Sequence, residues 1–165
     1  MNHAARLVFP AAALWLLLAT AACAQAGYQP EPLDRFPQSS VEIISGETRH
    51  RFEVWVADTA ARHVQGLMYV QRLDPDRGML FIYGEPRYLS YWMHNTYISL
   101  DLLFIGEDDR ILNIIERAKP LSTDPLLSMG PAKMVLEVLA GTSERLGIKA
   151  GDRLVHPGVS PAPTR

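Results

Sequence analysis

The sequence predicts a mainly β fold: a compact, single-domain β-sandwich or distorted barrel of about seven to eight short strands, with one or two short helices. Three observations predict it. Apolar runs of strand length recur through residues 41–156, several of them alternating with polar residues. Gly, Pro, Asn and Asp separate these runs, as turns require. No amphipathic segment is long enough to supply the regular helical crossovers of a parallel α/β protein.

The elements follow in order. Val41-Glu42-Ile43-Ile44 and Arg51 to Ala57 read as two strands joined across Ser45-Gly46-Glu47-Thr48. Phe52, Val54 and Val56 share one face of the second. Asp58 reads as a helix N-cap, with a helix from Thr59 to about Gln65 stopped by Gly66. Gly78 to Tyr83 and Tyr88 to Thr96 read as strands flanking Gly84-Glu85-Pro86. Leu100 to Ile105 and Arg110 to Glu116 form a hairpin around Gly106-Glu107-Asp108-Asp109. A polar, proline-punctuated loop runs from Lys119 to Pro131. Met134 to Ala140 is a strand with Met134, Leu136 and Val138 on one face and Glu137 on the other. Thr142 caps a helical turn through Leu146, and Gly147 to Asp152 turns the chain into a last strand, Arg153 to Val155.

Ahead of the domain, Arg6, the apolar stretch Leu7 to Ala22 and the small-x-small site Ala24-Gln25-Ala26 read as an export signal. Pro10 interrupts that stretch, which is shorter than a comfortable bilayer span of roughly 20 residues. Cys23, the sole cysteine, follows Ala21-Ala22, where a bacterial lipoprotein is cut and acylated. Thr20 stands where such sites usually carry Leu. Two processing outcomes are therefore expected: cleavage after Ala26 to a soluble product, or cleavage after Ala22 with lipid on Cys23. Either way the location is the periplasm, free or tethered, and the folded part has no cysteine for a nucleophile, disulfide or zinc site.

Residues 27–40, with Pro30, Pro32 and Pro37, read as a linker or arm. The domain spans 41–156, and 157–165 forms a flexible tail with three prolines. The net charge is −2 at pH 7, without a basic stripe, which argues against nucleic acid. No basic amphipathic segment is present for a membrane surface, so contact with the membrane is expected only through Cys23.

Several short elements occur in a set order: Gly66-Leu67-Met68-Tyr69, Gly78-Met79-Leu80-Phe81, Trp92-Met93-His94-Asn95-Thr96, Leu100-Asp101, Leu136-Glu137 to Gly141, and Gly147-Ile148-Lys149-Ala150-Gly151-Asp152. This series resembles the bacterial and archaeal family called domain of unknown function 192. The resemblance covers Val41 to His156. It implies a compact mainly β domain, often exported, and no established reaction, cofactor or substrate. Two positions depart from the family pattern. Val70 stands where many relatives carry a basic residue, with Arg72 nearby, and His94 stands where Lys is frequent. An anion contact at those positions is therefore not expected here.

Candidate chemistry centres on polar residues within apolar segments. Read as a strand, Trp92, His94 and Thr96 face one way, and Met93 and Asn95 the other. That face offers an aromatic platform with hydrogen-bonding groups, the composition of a small-ligand site. The structural alternative has Asn95 and Thr96 tying down a turn before Leu100. Asp101 either joins His94 in a site or accepts backbone N–H bonds that hold the barrel closed, and the second is favoured. Glu137 either points outward by alternation or joins His94 and Asp101 as an acid/base or metal constellation. No two of these residues have a diagnostic metal-ligand spacing, so no metal is expected. Met68, Met79, Met93, Met129 and Met134 read as core packing in preference to Cu(I) ligands. His50, His63 and His156 have no motif around them and read as surface or strand-end residues. No nucleophile elbow, zincin motif or phosphate loop is present, and no cofactor is expected. The functional expectation is a non-catalytic envelope module that binds a small ligand, a peptide or another envelope protein through Trp92, His94, Asn95, Thr96 and Asp101. The alternative is an enzyme acting on envelope carbohydrate or peptide, with His94 and Asp101 or Glu137 as acid and base.

Overall fold

The computed structural model describes residues 29–157. The stretch read as an export signal, Cys23 and nearly all of the stretch read as a tail lie outside the described residues. Strand β1 (Gln38–Ser45) and β2 (Thr48–Ala57) form an antiparallel hairpin. Its two-residue loop starts at Gly46, whose φ of 60° suits the first position of such a loop. Helix α1 (Ala60–Gln65) follows, then β3 (Arg77–Arg87), the two-residue β4 (Ser90–Tyr91), β5 (Leu100–Ile105) and β6 (Ile111–Ala118). The chain ends with β7 (Leu126–Leu127), β8 (Ala132–Leu139), α2 (Thr142–Leu146) and β9 (Arg153–Val155).

Seven strands make one curled sheet in the order β6-β5-β8-β3-β2-β1-β9. Its edges meet at an antiparallel bridge between Arg110 and Arg153. Ile111 N–H donates to Asp152 O at 2.9 Å, and Leu154 N–H donates to Asp109 O at 2.8 Å across the same seam. The result is the distorted barrel with short helices that the sequence predicts. One pairing, β2 with β3, is parallel, and α1 lies in its crossover.

The sheet buries both faces. Inside the curl, Val41, Ile43, Phe52, Val54, Leu80, Leu103 and Leu136 form one core. On the outer face Met79, Phe81, Leu102, Phe104 and Val135 pack beneath Leu67, Leu73, Leu89 and Met93 from the connecting segments. Strand β5 is consequently buried at every position. This is why Leu100 to Ile105 lacks the alternation of a half-exposed strand.

Local differences from the sequence reading have local causes. Thr59, not Asp58, caps α1, its Oγ1 accepting from Arg62 N–H at 3.3 Å. Asp58 instead pairs with the Arg62 guanidinium. Of the two readings of the proline-rich stretch, linker or arm, the described part follows the second and packs on the domain. Phe36 is buried, and Gln65 holds Glu31 by both its backbone N–H and its carbonyl. Strand β3 runs through Gly84-Glu85-Pro86, and the strand expected over 88–96 shrinks to Ser90–Tyr91. Residues beyond Tyr91 form a turn whose backbone bonds to the 119–131 loop, with Met93 N–H donating to Ser122 O at 2.9 Å.

Gly78 carries a sharp prediction. A Cβ there would lie 2.5 Å from the backbone oxygen of Glu137 on the neighbouring strand β8. Backbone cannot rotate away as a side chain can. Gly78→Ala is expected to destabilise the fold by about 2–4 kcal/mol, measured by urea unfolding.

Candidate functional site

A cleft of about 330 Å3 opens between α1 and the segment after β3. Helix α1 contributes Ala60, His63 and Val64, β3 contributes Tyr83 and Arg87, and Ser90, Tyr91 and Trp92 complete the wall. Beside it a narrow slot of about 30 Å3 reaches inward past Tyr91 and Trp92 to Thr96 and Glu137. Gly66, at φ 49°, turns the chain at the end of α1 so that Gln65 to Met68 line this slot.

The wall is aromatic and locked. Tyr83 and Tyr91 share a hydroxyl–hydroxyl hydrogen bond of 2.7 Å. Tyr91 meets Phe81 and Phe104 edge-on, with centroids 5.2 and 5.8 Å away. The Arg87 guanidinium lies 4.5 Å over the Tyr83 ring. Burial, ahead of other causes, pushes both phenols above the ordinary tyrosine range, so they act as neutral groups. The His63 ring lies 4.4 Å from that of Tyr83. Its Nε2 lies 3.0 Å from Ala57 O and 3.1 Å from Ile82 O, so Nε2 carries the proton.

Glu137 is the unusual group. Its residue is 5% exposed, and burial pushes its carboxyl up to about 8. No protein donor hydrogen-bonds it among the described residues. Alternation does place it on the outer face of β8, opposite Met79 and Leu102. That face is roofed by other segments, so Glu137 is not at the solvent surface as the outward reading expected.

The proposed ligand-binding residues are dispersed. Trp92, 51% exposed, and Thr96, which is buried, line the slot with Glu137. His94 is exposed and lies against Trp92, with ring centroids 5.1 Å apart. Asn95, at φ 55°, is part of the turn, and its Nδ2 donates to the Tyr69 hydroxyl at 2.9 Å. Asp101 belongs elsewhere. It is fully buried, and its Oδ1 accepts from Arg117 N–H at 2.9 Å and Gly141 N–H at 3.0 Å. Its Oδ2 accepts from Ser143 N–H at 2.9 Å. Asp101 pairs with Val138 on the inner face of the sheet, whereas Glu137 lies on the outer face. The two carboxyls therefore cannot share a site, and the constellation of His94, Asp101 and Glu137 does not assemble.

Other candidates also resolve. Among the described residues no three His, Cys, Asp or Glu side chains are grouped to hold a metal. Met79 and Met93 lie in the outer core, Met134 in the inner core, and Met129 is exposed. Val70 packs against the outer core and Arg72 pairs with Asp74. His63, read from sequence as a surface residue, lines both the cleft and the slot. Tyr83, Arg87 and Tyr91 were not legible as site residues, since each sits in an ordinary strand pattern.

The sequence model of the family DUF192, described as "Uncharacterized ACR", matches residues 41–156. The chain belongs to this family. Two solved structures show the same fold. One, titled a "putative transcription regulator" from Sinorhizobium meliloti 1021, is 42% identical, covers 75% of this chain and 97% of its own, and has a TM-score of 0.73. The other, a protein of unknown function from Novosphingobium aromaticivorans DSM 12444, is 36% identical, covers 79% of this chain and 94% of its own, and has a TM-score of 0.73. No curated protein matches the chain. The DUF192 domain here thus carries its cleft on a fold shared with these two structures, neither of whose names gives a ligand.

Proposed function

We propose that this DUF192 protein is an exported, non-catalytic binding module of the bacterial envelope, and that the cleft between α1 and Trp92 takes a small ligand or peptide segment. The single observation that carries the binding reading is the aromatic cleft leading to a buried carboxyl without a protein donor. Its volume and its mix of apolar walls with few polar groups match ordinary small-ligand sites. Export rests on Leu7 to Ala22 and Ala24-Gln25-Ala26, with Cys23 as the alternative acylation point. The net charge of −2 gives no support to a role on nucleic acid.

NMR screening with small sugars, peptides and amines tests the binding reading. Shifts are expected to gather on Tyr83, Tyr91, Trp92 and Thr96. Trp92→Ala is expected to abolish them while changing stability by less than about 0.5 kcal/mol, because that side chain is half exposed. Shifts elsewhere, or binding indifferent to Trp92→Ala, would refute it. Mass spectrometry of the mature N-terminus distinguishes the two processing outcomes.

One observation favours an enzyme as the second reading. A cleft carboxyl that titrates near neutrality has the property of a general acid. The histidine that lines the slot with it is His63, and neither His94 nor Asp101 does so.

A further inference from the structure

We propose that the slot beside Glu137 receives a primary ammonium group, carried on an apolar stem that lies along Tyr91 and Trp92 in the outer cleft. This deepens the binding reading and rests on it.

Four observations converge. First, Glu137 is nine-tenths or more buried and opens into the slot without a protein donor. Buried carboxyls normally have hydrogen-bond partners, so the missing donor is one a ligand can supply. Second, the slot of about 30 Å3 holds a head group of one or two non-hydrogen atoms, whereas the outer cleft of about 330 Å3 holds a larger body. Third, the slot contains no competing cation. Its only other ionisable linings are His63, whose Nε2 is engaged by two carbonyls, and Tyr91. Fourth, Phe81, Tyr91 and Trp92 supply π systems to the same space, and these attract cations.

Other head groups fit less well. A carboxylate or phosphate would face Glu137 without a cation in the slot to hold it. A hydroxyl would satisfy one hydrogen bond but gain nothing from the π systems. Arg87 stays at the outer rim over Tyr83, where it is positioned for an acidic group at the far end of the stem.

The pairing has a pH signature. The titratable groups that face Glu137 are His63 from α1 and Tyr91 from β4, which line the slot with it, and Tyr83 from β3, while Arg87 lines only the outer cleft. The β5 neighbour is Leu102, which adds none. The free protein keeps the Glu137 proton up to about pH 8. An arriving ammonium displaces it, so binding releases a proton. Affinity therefore rises with pH, by up to about tenfold per unit below about pH 8, and then levels off.

The test titrates the full-length mature protein with n-hexylammonium and with n-hexanol, following the backbone amides of Gln65 to Met68 by NMR. Hexylammonium is expected to bind about tenfold or more tightly than hexanol. Glu137→Gln, which is isosteric, is expected to erase that preference while keeping a native spectrum. Affinity for hexylammonium is expected to rise from about pH 6 to about pH 8. Equal binding of amine and alcohol, a preference that survives Glu137→Gln, or affinity that falls with rising pH would each overturn the proposal. If hexylammonium fails to bind but sugars or peptides still shift Tyr91 and Trp92, the ammonium assignment fails and the cleft reading stands. If nothing perturbs the cleft, both fail.

Discussion

Asp101→Ala is expected to lower unfolding stability by about 3–5 kcal/mol, read as a shift in urea midpoint without a change in slope. The side chain is completely buried and accepts three backbone N–H groups. Two of them, from Gly141 and Ser143, belong to the start of α2, whose N-cap position is a glycine that supplies no side-chain cap. Asp101 therefore caps that helix from a distant strand. The third comes from Arg117 at φ 50°, within the irregularity where β6 slips past β5. Removing the carboxylate leaves three N–H donors without their acceptor where the side chain had been fully buried, and each lost partner costs about 1–3 kcal/mol before relaxation. Asp101→Asn is the sharper variant. One amide oxygen can still serve Arg117 and Gly141, but the NH2 must then face the Ser143 N–H, donor against donor. A loss of about 2–4 kcal/mol is expected there too. Unfolding curves that overlay wild type would show that the three bonds hold nothing together.

Glu137→Gln is expected to change the pH dependence of stability more than any other single substitution. Burial holds the folded-state value at about 8, against an ordinary value of 4.5. Between those limits the unfolded chain has released a proton that the folded chain retains. Raising the pH therefore favours unfolding throughout that window, and the loss is complete above about pH 8. The full cost is on the order of 5 kcal/mol, since the rise from 4.5 to about 8 is worth about 1.4 kcal/mol per unit. Glutamine does not titrate. The variant should match wild type near pH 4.5 and exceed it by about 2–4 kcal/mol at pH 8. Urea unfolding of both proteins at three values across the window reads this directly. Parallel stability curves would mean that the carboxyl ionises freely in the fold, and the candidate site would lose its distinctive group. A wild-type protein that carries such a cost has kept an acid where glutamine or leucine would be more stable. That is the pattern of a functional site.

Much of the fold was legible because its signals are local. The hairpin of β5 and β6 announces itself through Gly106 to Asp109, and Gly106 N–H does bond across the turn to Arg110 O at 2.8 Å. Met134, Leu136 and Val138 share the inner core, as their alternation predicts. Asp101 accepts backbone N–H groups as the structural reading favoured. The failures are equally informative. Trp92 to Thr96 has the composition of a strand, yet its backbone turns at Asn95 and bonds to Tyr69 and Leu121 in other loops. Those partners are remote in sequence, so composition could not reveal them. His63 lacked any motif, because its role depends on α1 lying against β3 and not on its neighbours along the chain.

The sequence by itself determined the order of strands along the chain, the placement of most turns, the face each β8 residue occupies and the family. Side-chain alternation and turn chemistry act over a few residues, so a linear reading recovers them. Only the tertiary structure decided that both faces of the sheet are covered, that Asp101 and Glu137 lie on opposite sides, and that His63, Tyr91 and Trp92 surround an acid. Whether a given side of a strand meets water depends on which distant segments lie over it, and no local pattern carries that information.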